Sequence, residues 1–317
     1  MKSNAFRFVS YAITTALCMV TASLPASATQ PGVNGKIAFA AETDAGSQIY
    51  TINSDGTDLF QVSNVNGTAT SPDWSPHGQR IAFEFDDDVH SGIAIVNADG
   101  TGFIDLTPTG FHLQPAFTPD GHHLLYECGD CSGGDGIFLM KDDASDFPGT
   151  RLTTNPFPFE GDSNPEISPN GKTVTFVRHQ VDGQLQALFA VDIDGNNERL
   201  VAPYTFEVGI KHDWAPDGSH IVITPFADFP DNYSPDVATI RPDGSDVRLL
   251  TKYTGGAVGA FAGSYSPDGR WIAFRLQGPH TFGLWIMSPD GGNRRLIANF
   301  PFRPRLIDWG PKPQDAK

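Results

Sequence analysis

The amino-acid sequence predicts an all-β protein assembled from a repeated four-stranded unit, and three observations lead to that expectation. The 317 residues include 33 Gly and 25 Pro, about 18% together against roughly 12% in an average protein, and these are the two worst residues for a helix interior. A Pro-x-Gly turn recurs at a nearly constant spacing, and a second, Asp-Gly turn falls between most of the copies. Short strands separated by regular turns favour a β architecture over a helical bundle.

The first turn marks the repeat. Each copy follows an aromatic or Ile residue and precedes an alternating apolar run such as Arg80–Phe83. Residues 307–311 form a sixth, degenerate copy. The glycines of the five full copies are 43, 50, 47 and 51 residues apart: Gly78, Gly121, Gly171, Gly218 and Gly269. A period of about 45 residues is typical of propeller blades.

The second turn defines four strands in each unit. Asp-Gly between alternating apolar runs is a strong hairpin signal, because Gly supplies the positive φ that the turn requires. The third unit departs, with a longer Asp-rich connection over residues 142–150. One strand ends at the Pro-x-Gly turn, two follow, and a fourth comes after the Asp-Gly turn. Four strands per unit is the composition of a propeller blade.

The two ends of the repeat region complement each other. Gly35–Phe39 has the pattern of a second strand whose unit lacks its first, and Leu306–Trp309 has that of a first strand without successors. Joining them completes one blade and pairs strand edges that would otherwise stay open. We therefore predict a six-bladed β-propeller of four-stranded antiparallel blades, closed by N- and C-terminal strands, with residues of about 33–63 and 304–311 in one blade.

These motifs resemble those of a known family. Trp74–Gly78, followed by the Ile81–Phe83 strand, an Asp-Gly hairpin and Leu106-Thr107, is similar to the TolB-type WD40-like propeller repeat. The resemblance covers nearly the whole chain after residue 28 and implies the fold, whereas a fold hosts many functions. TolB itself carries an additional N-terminal domain. Because only a few residues precede the first strand here, we expect a propeller without that domain, and a Tol–Pal role is in doubt.

The first 28 residues have the pattern of a secretory signal peptide. Lys2 and Arg7 form a positive region, Phe8–Val20 is largely apolar, and the Ala-Ser-Ala at 26–28 provides a cleavage site. This apolar stretch is short for a membrane span, and no second one follows. We expect cleavage after Ala28, a single propeller domain over residues 29–317, and a periplasmic or secreted protein. An uncleaved anchor is the alternative.

The chain after the signal keeps two cysteines, Cys128 and Cys131, in Cys-Gly-Asp-Cys. This spacing is found in redox motifs, in zinc half-sites and in small disulfides. A four-coordinate zinc site would need two further ligands, and exported proteins favour disulfides. We expect a disulfide that closes one loop, with free thiols and metal binding as alternatives.

The charge balance and the motif content exclude several function classes. The chain has 21 basic and 37 acidic residues, a formal net charge of −16, and no Lys/Arg cluster follows residue 10. Nucleic-acid affinity depends largely on cations that meet phosphates, so we expect no nucleic-acid partner. The sequence contains no nucleophile elbow, phosphate loop, His-Glu-x-x-His or dinucleotide fingerprint. We therefore assign no catalytic residues.

The predicted function is protein or peptide binding by a monomeric, non-catalytic scaffold. Connections in a four-stranded blade alternate between two faces, so both kinds of turn share one face and the longer loops share the other. Eleven of the 23 Phe residues fall in those loops, Phe226 and Phe261 among them. Aromatic residues anchor many interfaces, although loops that fold back over the core would also account for them. The predicted docking patch over the channel mouth comprises Phe157, Phe159, Tyr204, Phe206, Phe300 and Phe302.

The competing hypothesis is a metal-dependent carbohydrate lyase or hydrolase with its site at the channel mouth. Such an enzyme needs several His or carboxylate ligands that converge on a divalent cation. His212 begins an innermost strand, while Asp73, Asp213 and Asp308 share one column of these strands with Glu166. Alternatively, the carboxylates accept backbone N–H groups of the adjacent blade. The protein-binding hypothesis requires no cofactor.

Overall fold

The computed structural model describes residues 32–313 apart from 44–45, 88, 133, 155–160, 181–184, 210, 227–234, 254–257 and 280. The predicted signal peptide, and Phe157 and Phe159 of the predicted docking patch, lie outside the described residues. Strands dominate the part of the chain that is described, and its one helical element is a 3-10 turn, Tyr204–Phe206. None of its helical structure is long and apolar enough to cross a bilayer.

Within these residues, 24 strands form six four-stranded antiparallel sheets. We number the blades from the one that contains the first strand, and we give each blade from its innermost strand outward. Blade 1 comprises β24 (Arg303–Pro311), β1 (Asn34–Thr43), β2 (Gly46–Ile52) and β3 (Phe60–Gln61). Blade 2 comprises β4 (Thr68–Trp74), β5 (Arg80–Asp86), β6 (Ser91–Asn97) and β7 (Ile104–Asp105). Blade 3 comprises β8 (His112–Phe117), β9 (His123–Cys128), β10 (Gly136–Lys141) and β11 (Thr150–Arg151).

The other three blades follow the same order. Blade 4 comprises β12 (Asp162–Ile167), β13 (Thr173–His179), β14 (Gln186–Asp192) and β15 (Arg199–Ala202). Blade 5 comprises β16 (Asp213–Trp214), β17 (Ile221–Ile223), β18 (Ala238–Ile240) and β19 (Arg248–Leu249). Blade 6 comprises β20 (Gly259–Tyr265), β21 (Ile272–Gly278), β22 (Thr281–Met287) and β23 (Arg295–Phe300).

The two ends of the repeat region meet in blade 1. β1 pairs with β24 in antiparallel register, and Ile37 lies opposite Trp309. The innermost strands contact one another in sequence around a ring, which closes where β20 meets β24 and β24 meets β4. The predicted six-bladed propeller, with one blade shared by the N- and C-terminal strands, is confirmed.

The hydrophobic core lies between blades. Trp74, on the innermost strand of blade 2, packs against Ala38 and Ala40 of blade 1 as well as against Ile81 and Phe83 of its own blade. Burying one large apolar side chain in this way contributes about 2–3 kcal/mol. The equivalent positions of all six blades are at most 6% exposed: Trp74, Phe117, Ile167, Trp214, Tyr265 and Trp309.

A β-bulge interrupts the innermost strand of five blades, where the register to the second strand shifts. Bulges bend a strand and re-aim its side chains, and a non-glycine residue in the left-handed region costs about 1 kcal/mol or more. Four of the bulges hold such a residue, with φ between 50° and 53°: Ser71, Gln114, Asn164 and Leu306. The same four residues border the channel, so the irregular backbone of these four blades faces the channel.

Candidate functional site

The channel opens into a cavity of about 340 Å³, near the lower end of the range of roughly 300–1,000 Å³ typical of ligand pockets. Phe261, in its wall, is the third residue of β20, and the other end of that strand leads into the Pro267–Gly269 turn. The cavity therefore lies on the long-loop face, opposite the turns. Its lining combines apolar rings with polar and cationic side chains, among them Lys211, Thr224, Phe226, Phe261, Arg275 and Arg305.

A second, larger space of about 730 Å³ lies on the turn face between blades 5 and 6. Pro216 and Pro267 of the two Pro-x-Gly turns border it, together with the acidic residues Asp217, Asp268 and Asp290. Each of these three carboxylates accepts hydrogen bonds from its own turn, which lowers its pKa. Their main contacts therefore stabilise turns.

Of the predicted aromatic patch, Tyr204 and Phe206 follow β15 of blade 4, and Phe300 and Phe302 lie at the boundary of blades 6 and 1. Tyr204 packs against the ring of Phe189, with ring centroids 6.2 Å apart, and the Phe206 carbonyl accepts the Phe226 backbone N–H. Phe300 and Phe302 stack on each other at 4.8 Å; Phe300 belongs to the core cluster between blades 6 and 1, and Phe302 is partly buried against it. Phe300 is only 8% exposed, which leaves little of it for a partner.

Three of the predicted metal-ligating carboxylates join neighbouring blades around the channel. Each accepts a hydrogen bond from a backbone N–H of the next blade: Asp308 from Trp74 at 2.8 Å, Asp73 from Phe117 at 2.7 Å and Asp213 from Tyr265 at 2.8 Å. This is the alternative role that the sequence allowed for the column. A buried N–H group left without an acceptor costs about 1–3 kcal/mol, so these contacts stabilise the ring.

Lys211 places a cation among these carboxylates. Its Nζ lies 2.5 Å from Glu166 Oε1, and both side chains are largely buried. Burial opposes the charged form of Lys211, but Glu166, Asp308 and the neighbouring carboxylates outweigh it and raise its pKa. Burial also raises the pKa of Asp213 to about 6, although Lys211 acts in the opposite direction. Lys211 thus provides positive charge where the sequence suggested a divalent cation.

His212, the fourth predicted metal ligand, is fully buried. Its Nε2 lies 3.0 Å from Thr175 Oγ1 on blade 4, and its Nδ1 has no hydrogen-bond partner among the described residues. Burial, reinforced by the adjacent Lys211, lowers the pKa of His212 to about 3. The imidazole is therefore neutral at physiological pH, and its one described hydrogen bond joins two blades.

Two half-buried glutamates lie on the second strands of blades 2 and 3, opposite residues beside the bulges. Glu84 Oε2 accepts the Ser71 hydroxyl at 3.2 Å and the Gln114 backbone N–H at 3.3 Å, while Glu127 Oε2 has no partner among the residues described. Burial raises the pKa of Glu84 to about 7. Burial, with the negative charge of Glu84, raises the pKa of Glu127 to about 8. Both carboxyls therefore titrate near neutral pH.

Cys128 and Cys131 form a disulfide, as expected. Their sulfur atoms, a His112 ring nitrogen and an Asp130 carboxylate oxygen all lie within 4.8 Å of one another. In the described part of the chain, this is the one group of His, Cys, Asp or Glu residues arranged closely enough to surround a metal ion. Because thiolates are the form that binds metal, the closed bridge removes both sulfur ligands.

Sequence reasoning missed the cationic side chains of the cavity. The loop aromatic residues include Phe226 and Phe261, but nothing in the sequence pattern singles out Lys211, Arg275 or Arg305. The signal is weak, because a cation at the start or inside of a strand is common and no motif surrounds any of the three. The loops that carry the aromatic residues therefore surround a cavity whose polar character the aromatic count did not reveal.

A sequence model of the TolB β-propeller domain matches residues 17–210, more than half of the chain. The chain belongs to the TolB β-propeller family. Among relatives of the family, the Tol-Pal system protein TolB of Anaeromyxobacter dehalogenans is 30% identical over 114 residues, which are 36% of this chain and 24% of that protein. An uncharacterised protein of Agrobacterium fabrum is 26% identical over 211 residues, or 66% of this chain and 64% of its own length. The match thus spans about a quarter of the TolB relative.

Solved structures of TolB propellers resemble this one over most of its length. TolB from Acinetobacter baumannii superposes with a TM-score of 0.71 at 20% identity, covering 88% of this chain and 67% of that one. An oligogalacturonate lyase in complex with manganese has a TM-score of 0.52 at 13% identity, covering 86% of this chain and 75% of the lyase. At these identities the likeness shows the fold alone, and the fold carries both kinds of protein.

Proposed function

We propose that this TolB-family propeller is a non-catalytic, monomeric scaffold that binds a protein or peptide on its long-loop face, outside the cytoplasm. The observation that carries the proposal is the cavity at the channel mouth, in which Phe226 and Phe261 stand beside cationic side chains. Aromatic and Arg side chains around a concave centre are the composition of interface hot spots. The signal-peptide pattern of residues 1–28 and the likeness to Tol-Pal system proteins support the extracytoplasmic location.

The contacts of the predicted metal ligands favour binding over metal-dependent catalysis. Their carboxylates accept backbone N–H groups across blade boundaries, and Lys211 lies among them. Catalytic metal sites instead keep ligands convergent and one position open to substrate. A thermal shift tests this directly, because a metal that binds only the folded state raises the Tm. We expect the same Tm with Ca²⁺, Mn²⁺, Zn²⁺ or EDTA; a rise with Mn²⁺ that EDTA reverses would support the metalloenzyme.

A pair of matched phenylalanine variants tests the docking face. Phe226 is 40% exposed and lines the cavity, whereas Phe103 is 49% exposed and follows the Asp99-Gly100 turn on the opposite face. Because Phe103 also packs against Phe83 and Phe85, the Tm of both variants is measured to verify that they are folded. We expect Phe226→Ala to weaken capture of a partner from extracytoplasmic material, and Phe103→Ala to leave capture unchanged.

The captured partner is then purified, and its Kd for each variant is measured by calorimetry. Truncation of an interface aromatic typically costs about 1–2 kcal/mol or more, which is roughly a 10-fold rise in Kd. Equal Kd values for Phe226→Ala and the unmodified chain would show that the partner does not dock on the long-loop face. A rise in Kd confined to Phe103→Ala would place the docking surface on the turn face.

A further inference from the structure

Arg275 is a buried cation in the wall of the channel-mouth cavity. It lies on β21 directly opposite Phe261 of β20 in the strand register, so both side chains point to the same side of blade 6. The guanidinium carbon lies 3.9 Å from the centre of the Phe261 ring, which holds the planar group flat against the aromatic face. Only 8% of Arg275 is exposed, and the exposed part borders the cavity.

This guanidinium has no counter-ion among the described residues. Its Nε is buried without a hydrogen-bond partner. The charged groups that act on it are Arg305, Arg303 and Glu42, and Glu42 already pairs with both of those arginines, at 3.4 and 3.8 Å. Burial, together with Arg305 and Arg303, lowers the pKa of Arg275 to about 10. Glu42 is thus the one described carboxylate that acts on Arg275, and it already pairs with two other guanidinium groups.

The other cations that are buried or largely buried among the described residues are paired. Arg178 makes two hydrogen bonds to Asp162, at 2.6 and 2.8 Å, and contacts Glu198 as well. Lys211 contacts Glu166. The chain has 37 acidic residues, and carboxylates pair with these two cations, but none among the described residues pairs with Arg275. Burying an unpaired charge is costly, and the cost is offset if the missing anion arrives with a ligand.

We propose that the cavity binds the carboxylate group of a peptide partner, with the Arg275 guanidinium as principal donor and Arg305 as second cation. The two oxygens of a carboxylate match the parallel N–H donors of a guanidinium. The Phe226 and Phe261 rings offer an apolar wall to the rest of the same residue. The inference rests on the proposed function, since it names the chemical group by which the partner is held.

Small peptide mimics of one residue test the proposal on the full chain. N-acetyl-phenylalanine carries a terminal carboxylate beside an aromatic ring, N-acetyl-glutamate amide carries a side-chain carboxylate, and N-acetyl-phenylalanine amide carries none. Binding is followed by NMR titration. For a ligand of this size we expect a Kd on the order of 1 mM for at least one acid. The neutral amide should bind at least about 10-fold more weakly.

Variants of two arginines connect the binding to the cavity. Arg275→Gln removes the charge and should weaken acid binding by about 10- to 100-fold, while Arg275→Lys keeps the charge without the planar fork and should fall between. Arg270→Gln removes the same charge from an exposed position in the Pro-x-Gly turn on the opposite face and should change nothing. Circular dichroism and the Tm verify that each variant is folded.

The comparison of acid with amide on the unmodified chain remains decisive even if Arg275→Gln does not fold. Equal binding of acid and amide, or no binding of either acid, overturns the proposal. So does tighter binding of inorganic phosphate or galacturonate than of both acids, because the cavity would then select another anion. The relative affinity of the two acids tells a chain terminus from an acidic side chain. If Phe226→Ala abolishes partner capture but neither acid binds, the scaffold function is supported and the carboxylate site is ruled out.

Discussion

The hydrogen bond between Asp308 and Trp74, which joins blades 1 and 2, offers a quantitative test of ring closure. Asp308 lies on β24, and its Oδ2 accepts the Trp74 backbone N–H at 2.8 Å across the boundary of blades 1 and 2. Asp308→Ala leaves that buried N–H without its acceptor and removes a bond to a charged group, a loss of about 1.5–3 kcal/mol in the free energy of unfolding. For a domain of this size the corresponding fall in Tm is about 3–5 °C.

Equilibrium unfolding in urea, followed by tryptophan fluorescence, measures this loss. Asp308→Asn keeps an acceptor oxygen and should cost less than about 1 kcal/mol. Asp243→Ala is the matched control, because its carboxylate caps an exposed Asp-Gly turn through Ser245, and it should unfold close to the unmodified chain. If Asp308→Ala is no less stable than the Asp243→Ala control, or Asp308→Asn is as harmful as Asp308→Ala, the role assigned to the carboxylates is wrong.

Three further outcomes follow from buried charge and from the disulfide. Burial raises the pKa of Glu127 from 4.5 to about 8, so between these pH values the folded chain binds more protons than the unfolded chain. The Tm should therefore fall as the pH rises from about 4.5 to about 8, and it should fall less steeply in Glu127→Gln. Lys211→Met leaves the Glu166 carboxylate buried without its cation and should lower the free energy of unfolding in urea by about 3 kcal/mol. Lys172 is exposed in a turn, so Lys172→Met should change this free energy little. Reducing the four-residue Cys128–Cys131 loop should lower the Tm by only about 5 °C, with two alkylated thiols seen by mass spectrometry.

The propeller could be predicted because its determinants are local and repeated. Each Pro-x-Gly turn requires a residue with positive φ, and the glycines observed there have φ values of 66–70°. Closure was visible because Gly35–Phe39 and Leu306–Trp309 are the two halves of one incomplete unit. The bulges were not predicted: Ser71 and Leu306 adopt left-handed φ through the packing of innermost strands, and neither residue type signals that conformation.

The candidate site was less accessible to sequence reasoning, because it depends on how different blades face one another. The loop position of Phe300 and Phe302 predicts that they belong to the docking patch, yet at the boundary of blades 6 and 1 Phe300 is buried in the core and Phe302 is partly buried against it. Arg275 looks like one polar residue of an alternating strand. Its importance comes from the absence of a carboxylate partner among the described residues, and that is a property of the assembled ring.

Hydrogen–deuterium exchange of the chain with and without its captured partner tests the docking face most directly. With the partner bound, we expect slower exchange at the channel mouth, in the segments 203–209 and 301–305 that flank the cavity. Exchange at the turns around Asp217 and Asp268 on the opposite face should stay unchanged. Protection of those turns, with the channel-mouth segments exchanging as before, would contradict the account.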